Sequence, residues 1–355
     1  MWTEAWTRRL PVSPGTLELY LIWGVLCTRH GILAADVAGR VTLFSPTGEP
    51  TVLGSHDGPV RRLARDEVHP GDVHATSGDD LTVRLWDPAN RTALGVLRGH
   101  DAAIHSLAVG VHKGRTLVLS GSADLTVIVW DAATARPLHI LRGHTGPVYQ
   151  ARFHTTADAT VAVTGGEDGT VRVWNLDDGT CSTVLHGHTS AVWSVTAEGP
   201  LLLSGADDGE LIGWDVARSL PRYRVRAHEG WIHDIAVDRT GPTPLAATTG
   251  DRTVGVWDAE TGRAVLRLDG HTGPTTKVRF ARRDGRPVLV TSAEDRRVRA
   301  WNLTDGSEVD GVATVADGSL FDVSPGGSLA VAHGPHVTVH TYDRITDTEQ
   351  EARAT

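Results

Sequence analysis

Short runs of alternating hydrophobic and polar residues recur along this chain, with polar turns between them. Thr170–Trp174 (TVRVW) alternates with a period of two, and Thr160–Gly165 (TVAVTG) and Ala191–Val195 (AVWSV) are rich in valine, threonine and aromatic residues. A period of two places successive side chains on opposite faces of a strand, and β-branched and aromatic residues favour strands. The connections are rich in glycine, aspartate and asparagine, which suit tight hairpins. The pattern therefore predicts an all-β chain of short strands.

These strands recur as a repeat that two markers follow in step. A tryptophan ends the same alternating run at spacings of 44, 44, 40, 43 and 44 residues, at Trp86, Trp130, Trp174, Trp214, Trp257 and Trp301. A histidine recurs at spacings of 44, 44, 44, 40 and 43, at His56, His100, His144, His188, His228 and His271. Four short strands in each unit of about 43 residues is the pattern of a β-propeller blade.

The Gly-His and Trp-Asp signatures of these units identify a family resemblance. They run from Gly54 to Asn302, and the chain resembles the WD40-repeat β-propeller family over that range. The resemblance implies that each unit is a twisted four-stranded antiparallel sheet. It also implies that the sheets, or blades, close into a ring around a channel.

Two weaker copies of the unit flank the six clear ones, so we predict eight blades. Phe44 and Tyr342 stand where the tryptophan is expected, and a four-residue frame of mostly apolar-x-x-apolar type precedes each at Ile22–Val25 and Leu320–Val323. Residues 1–343 then form a single domain, in which residues 1–12 supply the closing outer strand of the last blade. Residues 344–355 form a polar tail. A seven-bladed ring is the alternative.

The resemblance assigns the recurring histidine a structural role. In each blade it bonds to an aspartate of the following turn and to a serine or threonine, which is linked to the tryptophan. The matching aspartates are Asp80, Asp124, Asp168, Asp208, Asp251 and Asp295, and the matching hydroxyls are Thr76, Ser120, Thr164, Ser204 and Thr291. Ala247 holds the hydroxyl position of the unit that ends at Trp257, so the network there is in doubt. A buried imidazole is costly unless both of its nitrogens find partners, which supports this role independently.

A set of non-repeating residues is the candidate binding site. In WD40 proteins the first x of the frame tends to face the top of the ring, beside the channel mouth, and we call this end the top face. The frame places there Trp23, Arg61, His105, Tyr149, Trp193, His233 and Phe321, together with Thr276. The residue before the turn aspartate lies on the same face in the family, and it is acidic at Asp79, Glu167, Asp207 and Glu294.

An aromatic face with an acidic rim suits a basic ligand through charge pairing and cation–π contacts. Aromatic residues and arginine also dominate binding hot spots, because they bury a large area at low entropic cost. We therefore expect a non-enzymatic scaffold that presents its top face to a protein or peptide partner, and a basic partner suits this face. The alternative is that these side chains only pack against the loops over the channel and bind no partner.

A second hypothesis is an enzyme, a hydrolase or lyase, with His105, His233 and Asp234 converging at the channel mouth. The sequence has no P-loop, no nucleophile elbow and no dinucleotide fingerprint. Cys27 and Cys181 fit no metal-ligand spacing. We accordingly predict no catalytic residues, no cofactor and no metal.

Charge and hydropathy limit the partners and the location. The net charge is −9 at pH 7 with neutral histidines, and no long basic run is present, which argues against nucleic-acid binding. The N-terminal TRRLPV and the apolar run LYLIWGVLC superficially resemble an export signal, but Glu4 and Leu26 do not fit one. The run is also too short to span a bilayer. We predict a cytoplasmic, monomeric ring without membrane contact.

Overall fold

The computed structural model describes residues 2–9, 22–66, 73–156, 159–283, 286–313, 320–323, 328–333 and 336–342. Within these ranges the regular elements are all strands, and they form eight four-stranded antiparallel sheets. The prediction of eight blades in an all-β chain is therefore confirmed, and the seven-bladed alternative is not. The predicted polar tail, residues 344–355, lies outside the described residues.

The first four blades follow the chain without interruption, and each is built of four consecutive strands. Blade 1 contains β2 (Ile22–Thr28), β3 (Gly31–Asp36), β4 (Arg40–Phe44) and β5 (Pro50–Ser55). Blade 2 contains β6 (Val60–Arg65), β7 (His74–Gly78), β8 (Thr82–Asp87) and β9 (Thr92–Arg98). Blade 3 contains β10 (Ile104–His112), β11 (Arg115–Ser122), β12 (Thr126–Asp131) and β13 (Arg136–Arg142). Blade 4 contains β14 (Val148–Thr155), β15 (Thr160–Gly166), β16 (Thr170–Asn175) and β17 (Cys181–His186).

The other four blades repeat this order, except that the last takes one strand from the start of the chain. Blade 5 contains β18 (Val192–Glu198), β19 (Leu201–Ala206), β20 (Glu210–Asp215) and β21 (Leu220–Arg226). Blade 6 contains β22 (Asp234–Asp238), β23 (Leu245–Thr249), β24 (Thr253–Asp258) and β25 (Ala264–Asp269). Blade 7 contains β26 (Thr275–Arg283), β27 (Arg286–Ala293), β28 (Arg297–Asn302) and β29 (Glu308–Ala313). Blade 8 contains β30 (Leu320–Val323), β31 (Leu329–His333), β32 (His336–Tyr342) and β1 (Trp2–Arg9).

The ring is closed by the N-terminal strand, as the sequence predicted. Strand β1 pairs with β32 in antiparallel register, from Trp2 opposite Tyr342 to Arg9 opposite His336. The indole of Trp6 on this strand donates to the carbonyl of Pro46 and packs against Phe44 in blade 1. The first strand of each blade contacts the first strand of the next blade around the whole circle, and β30 contacts β2. These first strands therefore line the channel.

The hydrophobic core lies between neighbouring blades. Trp86 of blade 2, for example, packs with Leu33 and Leu43 of blade 1, and Trp130 of blade 3 packs with Leu85 and Leu97 of blade 2. Five of the six repeat tryptophans are among the largest fully buried side chains. Replacing such a residue by alanine typically costs about 3–5 kcal/mol. The tryptophans thus couple adjacent blades, which is why the repeat must close to bury its last apolar face.

Candidate functional site

The repeat histidines form structural networks inside the blades and not a common site. In blade 4, the Nδ1 atom of His144 lies 2.9 Å from Asp168, its Nε2 atom lies 2.7 Å from the Thr164 hydroxyl, and the Trp174 indole donates to that hydroxyl at 2.9 Å. The same set of contacts is complete in blades 2, 3, 6 and 7. Each of these histidines therefore forms hydrogen bonds within its own blade.

The network of blade 6 corrects the expectation about Ala247. The hydroxyl comes from Thr248, which lies 2.9 Å from His228 and accepts from Trp257 at 3.0 Å. Thr248 stands opposite Ile235, the same register position that Thr164 holds opposite Ala151 in blade 4. The segment between the hydroxyl residue and the turn aspartate is one residue shorter in blade 6 than in blade 4. Counting four residues back from Asp251 therefore selects Ala247 and not Thr248.

Blade 5 is the exception among the six repeats. The Nε2 atom of His188 lies 2.7 Å from the Ser204 hydroxyl, but its buried Nδ1 atom has no hydrogen-bond partner among the described residues. The expected partner, Asp208, instead accepts from the Thr189 hydroxyl and from the backbone N–H of Glu210. The predicted bond between His188 and Asp208 is therefore absent from this blade.

A β-bulge positions the residues of the predicted binding column. In blades 1, 2, 3, 4, 5 and 7 the register between the first two strands shifts at the first x of the frame, so that this residue has no partner across the ladder. A bulge re-aims the side chain of the extra residue. In blade 6, His233 lies just before the start of β22. These positions border the channel, whose cavity measures about 940 Å³ and is lined by Arg61, His105, Tyr149, Trp193, His233 and Thr276, among others.

Five rings from four consecutive blades form a continuous row, which we call the aromatic row. Tyr149 and Trp193 stack at 4.0 Å between ring centroids with planes 9° apart, and Trp193 and Trp231 stack at 5.0 Å and 12°. His105 lies 5.4 Å from Tyr149 at one end, and His233 lies 6.0 Å from Trp231 at the other. Stacked rings hold one another in place, so the row is a preformed surface.

Trp231 is a member of this row that sequence reasoning missed. Its side chain is 47% exposed, which is unusual for a tryptophan. It occupies the position directly before the frame, where Pro59, Ala103, Pro147 and Ala191 stand in other blades. The sequence signal that could have identified Trp231 is a large aromatic residue at a position where the other blades carry small residues.

The acidic residues surround the aromatic row unevenly. Burial raises the pKa of the Tyr149 hydroxyl, and the neighbouring carboxylates of Glu167 and Asp207 raise it further. Burial lowers the pKa of His233, and the negative charges of Glu294 and Asp207 oppose that shift. Three of the predicted carboxylates therefore act electrostatically on ring members.

The fourth acidic residue, Asp79, is already paired. Arg61 donates to both of its carboxylate oxygens, through Nε and Nη2, at 2.6 Å each. The two predicted site residues thus neutralise each other, and the excess negative charge lies beside the aromatic row.

Two polar atoms of this region are buried and lack a hydrogen-bond partner among the described residues. They are the indole Nε1 of Trp193 and the Oδ1 atom of Asp207. One is a donor and the other an acceptor, and each is costly to leave unsatisfied.

Two further residues of the predicted column are not part of the exposed surface that the structure describes. Phe321 is fully buried and packs with Val290, Val298 and Val331 between blades 7 and 8. Strand β30 pairs with β31 without a bulge, so Phe321 stands directly opposite Val331 and turns into the core. The expectation that it faces the top is therefore wrong. Trp23 lies on β2, but its side chain falls outside the described residues.

The groups of the enzyme hypothesis do not converge. His105 and His233 sit at opposite ends of the aromatic row, and Asp234 is paired with Arg279 at 2.7 Å. In the described part of the chain, one group of three or more His, Cys, Asp or Glu side chains has ligand atoms that all lie within 4.8 Å of one another. That group consists of His188, Asp208 and Glu210. These three residues belong to blade 5 and are not the residues of the hypothesis.

Comparisons with known proteins agree with this architecture. A family model described as WD domain, G-beta repeat matches residues 44–87, 91–131, 135–175, 179–215 and 219–258. The computationally designed Ika8 protein, in its crystal structure, superimposes with a TM-score of 0.75 over 92% of this chain and 97% of its own, at 23% identity. That likeness concerns the fold alone.

Curated relatives match over parts of their length. The nuclear distribution protein PAC1 of Candida tropicalis is 28% identical over 30% of this chain and 22% of its own. The small ribosomal subunit protein RACK1 of Neurospora crassa is 25% identical over 40% and 60%. The U5 small nuclear ribonucleoprotein 40 kDa protein of Dictyostelium discoideum is 30% identical over 29% of each chain. The matched regions thus span between about a fifth and three fifths of these relatives.

In the described ranges no helix is long and apolar enough to cross a membrane.

Proposed function

The chain belongs to the WD40-repeat family of β-propellers, and on that premise we propose that it is a non-enzymatic scaffold that binds a protein or peptide partner on its top face. The observation that carries the proposal is the aromatic row of His105, Tyr149, Trp193, Trp231 and His233. Aromatic surface of this kind is enriched at the centre of protein interfaces. The relatives named above include members of ribosomal and ribonucleoprotein assemblies, as their names state, which is consistent with a role in binding proteins.

The charge around the row favours a basic segment of the partner. Glu167, Asp207 and Glu294 act on the ring members, and the cation of Arg61 is occupied by Asp79. Because the stacked rings cover one another's faces, a lysine or arginine placed beside the row gains mainly an ion pair with these carboxylates.

The same charge disfavours nucleic acid, because carboxylates at the site repel a phosphate backbone. The pairing of β1 with β32 closes the ring within one chain, so no second copy is needed to cover that edge. On these grounds we propose a monomeric ring that does not bind nucleic acid. We propose further that it acts in the cytoplasm without binding a membrane.

The test is binding of a basic peptide, measured by tryptophan fluorescence and calorimetry. We expect the Tyr149→Ala/Trp193→Ala double variant to weaken binding at least roughly tenfold, since the loss of a hot-spot residue costs 2 kcal/mol or more. Its melting temperature should change little, because both side chains are partly exposed.

Leu220→Ala is the matched control, since Leu220 lies on the outer strand of blade 5 and is 59% exposed. It should leave binding unchanged. An acidic peptide of the same length should bind weakly to every variant. Binding that survives in the double variant, or a double variant that only unfolds, would refute the assignment of the site.

A further inference from the structure

The turn of blade 5 differs from its counterparts at two positions at once. The Nδ1 atom of His188 has no hydrogen-bond partner among the described residues, and His188 is only 9% exposed. Two residues after the turn aspartate, blade 5 carries Glu210, where four other blades carry threonine at Thr82, Thr126, Thr170 and Thr253.

The threonine has a definite role in the other blades. The hydroxyl of Thr170 donates to Asp168 at 2.8 Å and lies 3.4 Å from the Nδ1 atom of His144, and Thr82 makes the same contacts in blade 2. A neutral hydroxyl thus sits beside the imidazole and the carboxylate. Glu210 brings a second carboxylate to this place.

The cluster brings two carboxylates together with one arginine. Asp208 and Glu210 carry two negative charges, and Arg224 supplies one positive charge through a 2.9 Å bond to the Oε2 atom of Glu210. The cluster thus combines two carboxylates with an imidazole whose buried Nδ1 atom has no hydrogen-bond partner among the described residues.

We propose that His188, Asp208 and Glu210 bind a zinc ion. Their ligand atoms all lie within 4.8 Å of one another, so side-chain rotations that leave the backbone in place bring them into coordination distance. One imidazole nitrogen and two carboxylate oxygens form a common zinc ligand set, with water completing the tetrahedron. The imidazole nitrogen favours zinc over calcium and magnesium, which prefer oxygen ligands.

The residues around the cluster act as supports for the ligands. Ser204 bonds to the Nε2 atom of His188 and can accept its hydrogen, which leaves the lone pair of Nδ1 for the metal. Arg224 holds one oxygen of Glu210 and leaves Oε1 free. Hydrogen bonds of this kind orient metal ligands and are part of most metal sites.

The site would tie together two segments that hydrogen bonds join in the other blades. His188 precedes the strand that carries Trp193, and Asp208 and Glu210 belong to the next turn. The ion thus takes the place of the missing imidazole–aspartate bond. This inference is independent of the proposed partner binding, because none of the three ligands belongs to the aromatic row.

The experiment is equilibrium dialysis of the tag-free full chain against Zn²⁺, followed by elemental analysis and a melting curve with and without chelator. Glu210→Thr restores the residue of the other blades, so this variant should fold. We expect it to bind one zinc fewer per chain than wild type, or to bind that zinc at least roughly tenfold more weakly. Zinc should raise the melting temperature of wild type and not that of the variant.

Glu260→Thr, in an exposed turn of blade 6, is the control for unspecific loss of a carboxylate and should bind zinc as wild type does. Asp208→Asn provides a second ligand variant and should lose the same zinc. Equal zinc binding by wild type and Glu210→Thr would overturn the proposal. Loss of the zinc from a His105→Ala/His233→Ala variant, with retention in Glu210→Thr, would instead place the metal at the channel mouth. Calcium or magnesium binding in place of zinc would also contradict the proposal.

Discussion

At the scale of single residues, the repeat histidines show how one residue type takes different parts in one chain. His144 satisfies both nitrogens within the protein, whereas His188 satisfies one. The difference arises from the groups next to each ring and not from the histidine itself. The energetic consequence of substitution should therefore differ between the two blades.

His144→Ala should lower the free energy of unfolding by roughly 2–4 kcal/mol, because it removes one hydrogen bond from Asp168 and one from the buried Thr164 hydroxyl. His188→Ala, measured with chelator present, should cost less, since only the Ser204 bond is lost. Urea unfolding of the two variants and wild type gives the comparison. Equal losses would mean that the imidazole–aspartate bond contributes nothing in blade 4.

The pKa of His188 gives a pH dependence whose direction is fixed. Burial lowers this pKa from 6.5 to about 4, so between these values the unfolded chain binds a proton that the folded chain does not. The contribution to stability is complete above pH 6.5 and is lost as the pH falls toward 4, by at most about 1.4 kcal/mol per pH unit.

In chelator, the slope of unfolding free energy against pH over this range should therefore be smaller for His188→Gln than for wild type. Denaturant unfolding at a series of pH values measures both slopes. Parallel slopes would show that His188 is not buried in neutral form.

At the scale of elements, turns and strand ends distinguish the blades. Leu81, Leu125 and Arg296 adopt positive φ angles of 58°, 70° and 60° in the turn where blades 4 and 5 carry Gly169 and Gly209. A non-glycine residue in this region costs roughly 1–2 kcal/mol, and the extra unfolded-state entropy of glycine costs about 0.5–1 kcal/mol. Relief of strain is the larger of these two effects.

Leu125→Gly should therefore stabilise the protein by roughly 0.5–1 kcal/mol. Gly169→Leu, the reverse exchange in the next blade, should destabilise it. Thermal and urea unfolding of both variants test the pair. A destabilised Leu125→Gly variant would indicate that the partly exposed leucine side chain contributes more than the strain costs.

The closing strand β1 is the element on which the ring as a whole depends. It covers the edge of β32 over Trp2–Arg9 and fastens Trp6 to blade 1 through Phe44 and Pro46. Deletion of residues 2–9 leaves a strand edge and an apolar surface exposed. We expect the truncated chain to melt at a lower temperature and to associate, as measured by size-exclusion chromatography with light scattering. A monomeric truncated chain with unchanged melting would show that β1 does not close the ring.

At the scale of the whole molecule, the distribution of charge matters more than its sum. The chain carries a net charge of −9, and three carboxylates act on the aromatic row. Opposite charges speed association, and salt screens that attraction with a Debye length of about 8 Å at physiological ionic strength.

Association of a basic peptide should therefore slow by roughly tenfold between low and high salt. Stopped-flow fluorescence measures the rate, and Glu167→Gln/Glu294→Gln should weaken its salt dependence. Dissociation should respond mainly to loss of Trp193. An association rate that does not depend on salt would argue against the electrostatic part of the proposed function.

The sequence by itself determined the all-β class, the eight blades, the closing strand and most of the histidine networks. These features rest on markers that recur at a fixed spacing, and each marker acts within its own blade. The spacing of Thr164 and Trp174, for instance, already places them on adjacent strands of one sheet, with His144 in the connection that precedes the blade. The binding role of the top-face residues stays a prediction.

Only the tertiary structure decided how the non-repeating residues meet. The stacking of Trp231 on Trp193 and the pairing of Arg61 with Asp79 depend on loops that sequence spacing does not position. The burial of Phe321 depends on a missing bulge, and the free nitrogen of His188 depends on bonds that Asp208 makes elsewhere. These outcomes are set by backbone register and by competition for hydrogen bonds. A pattern of residue types along the chain does not record either of them.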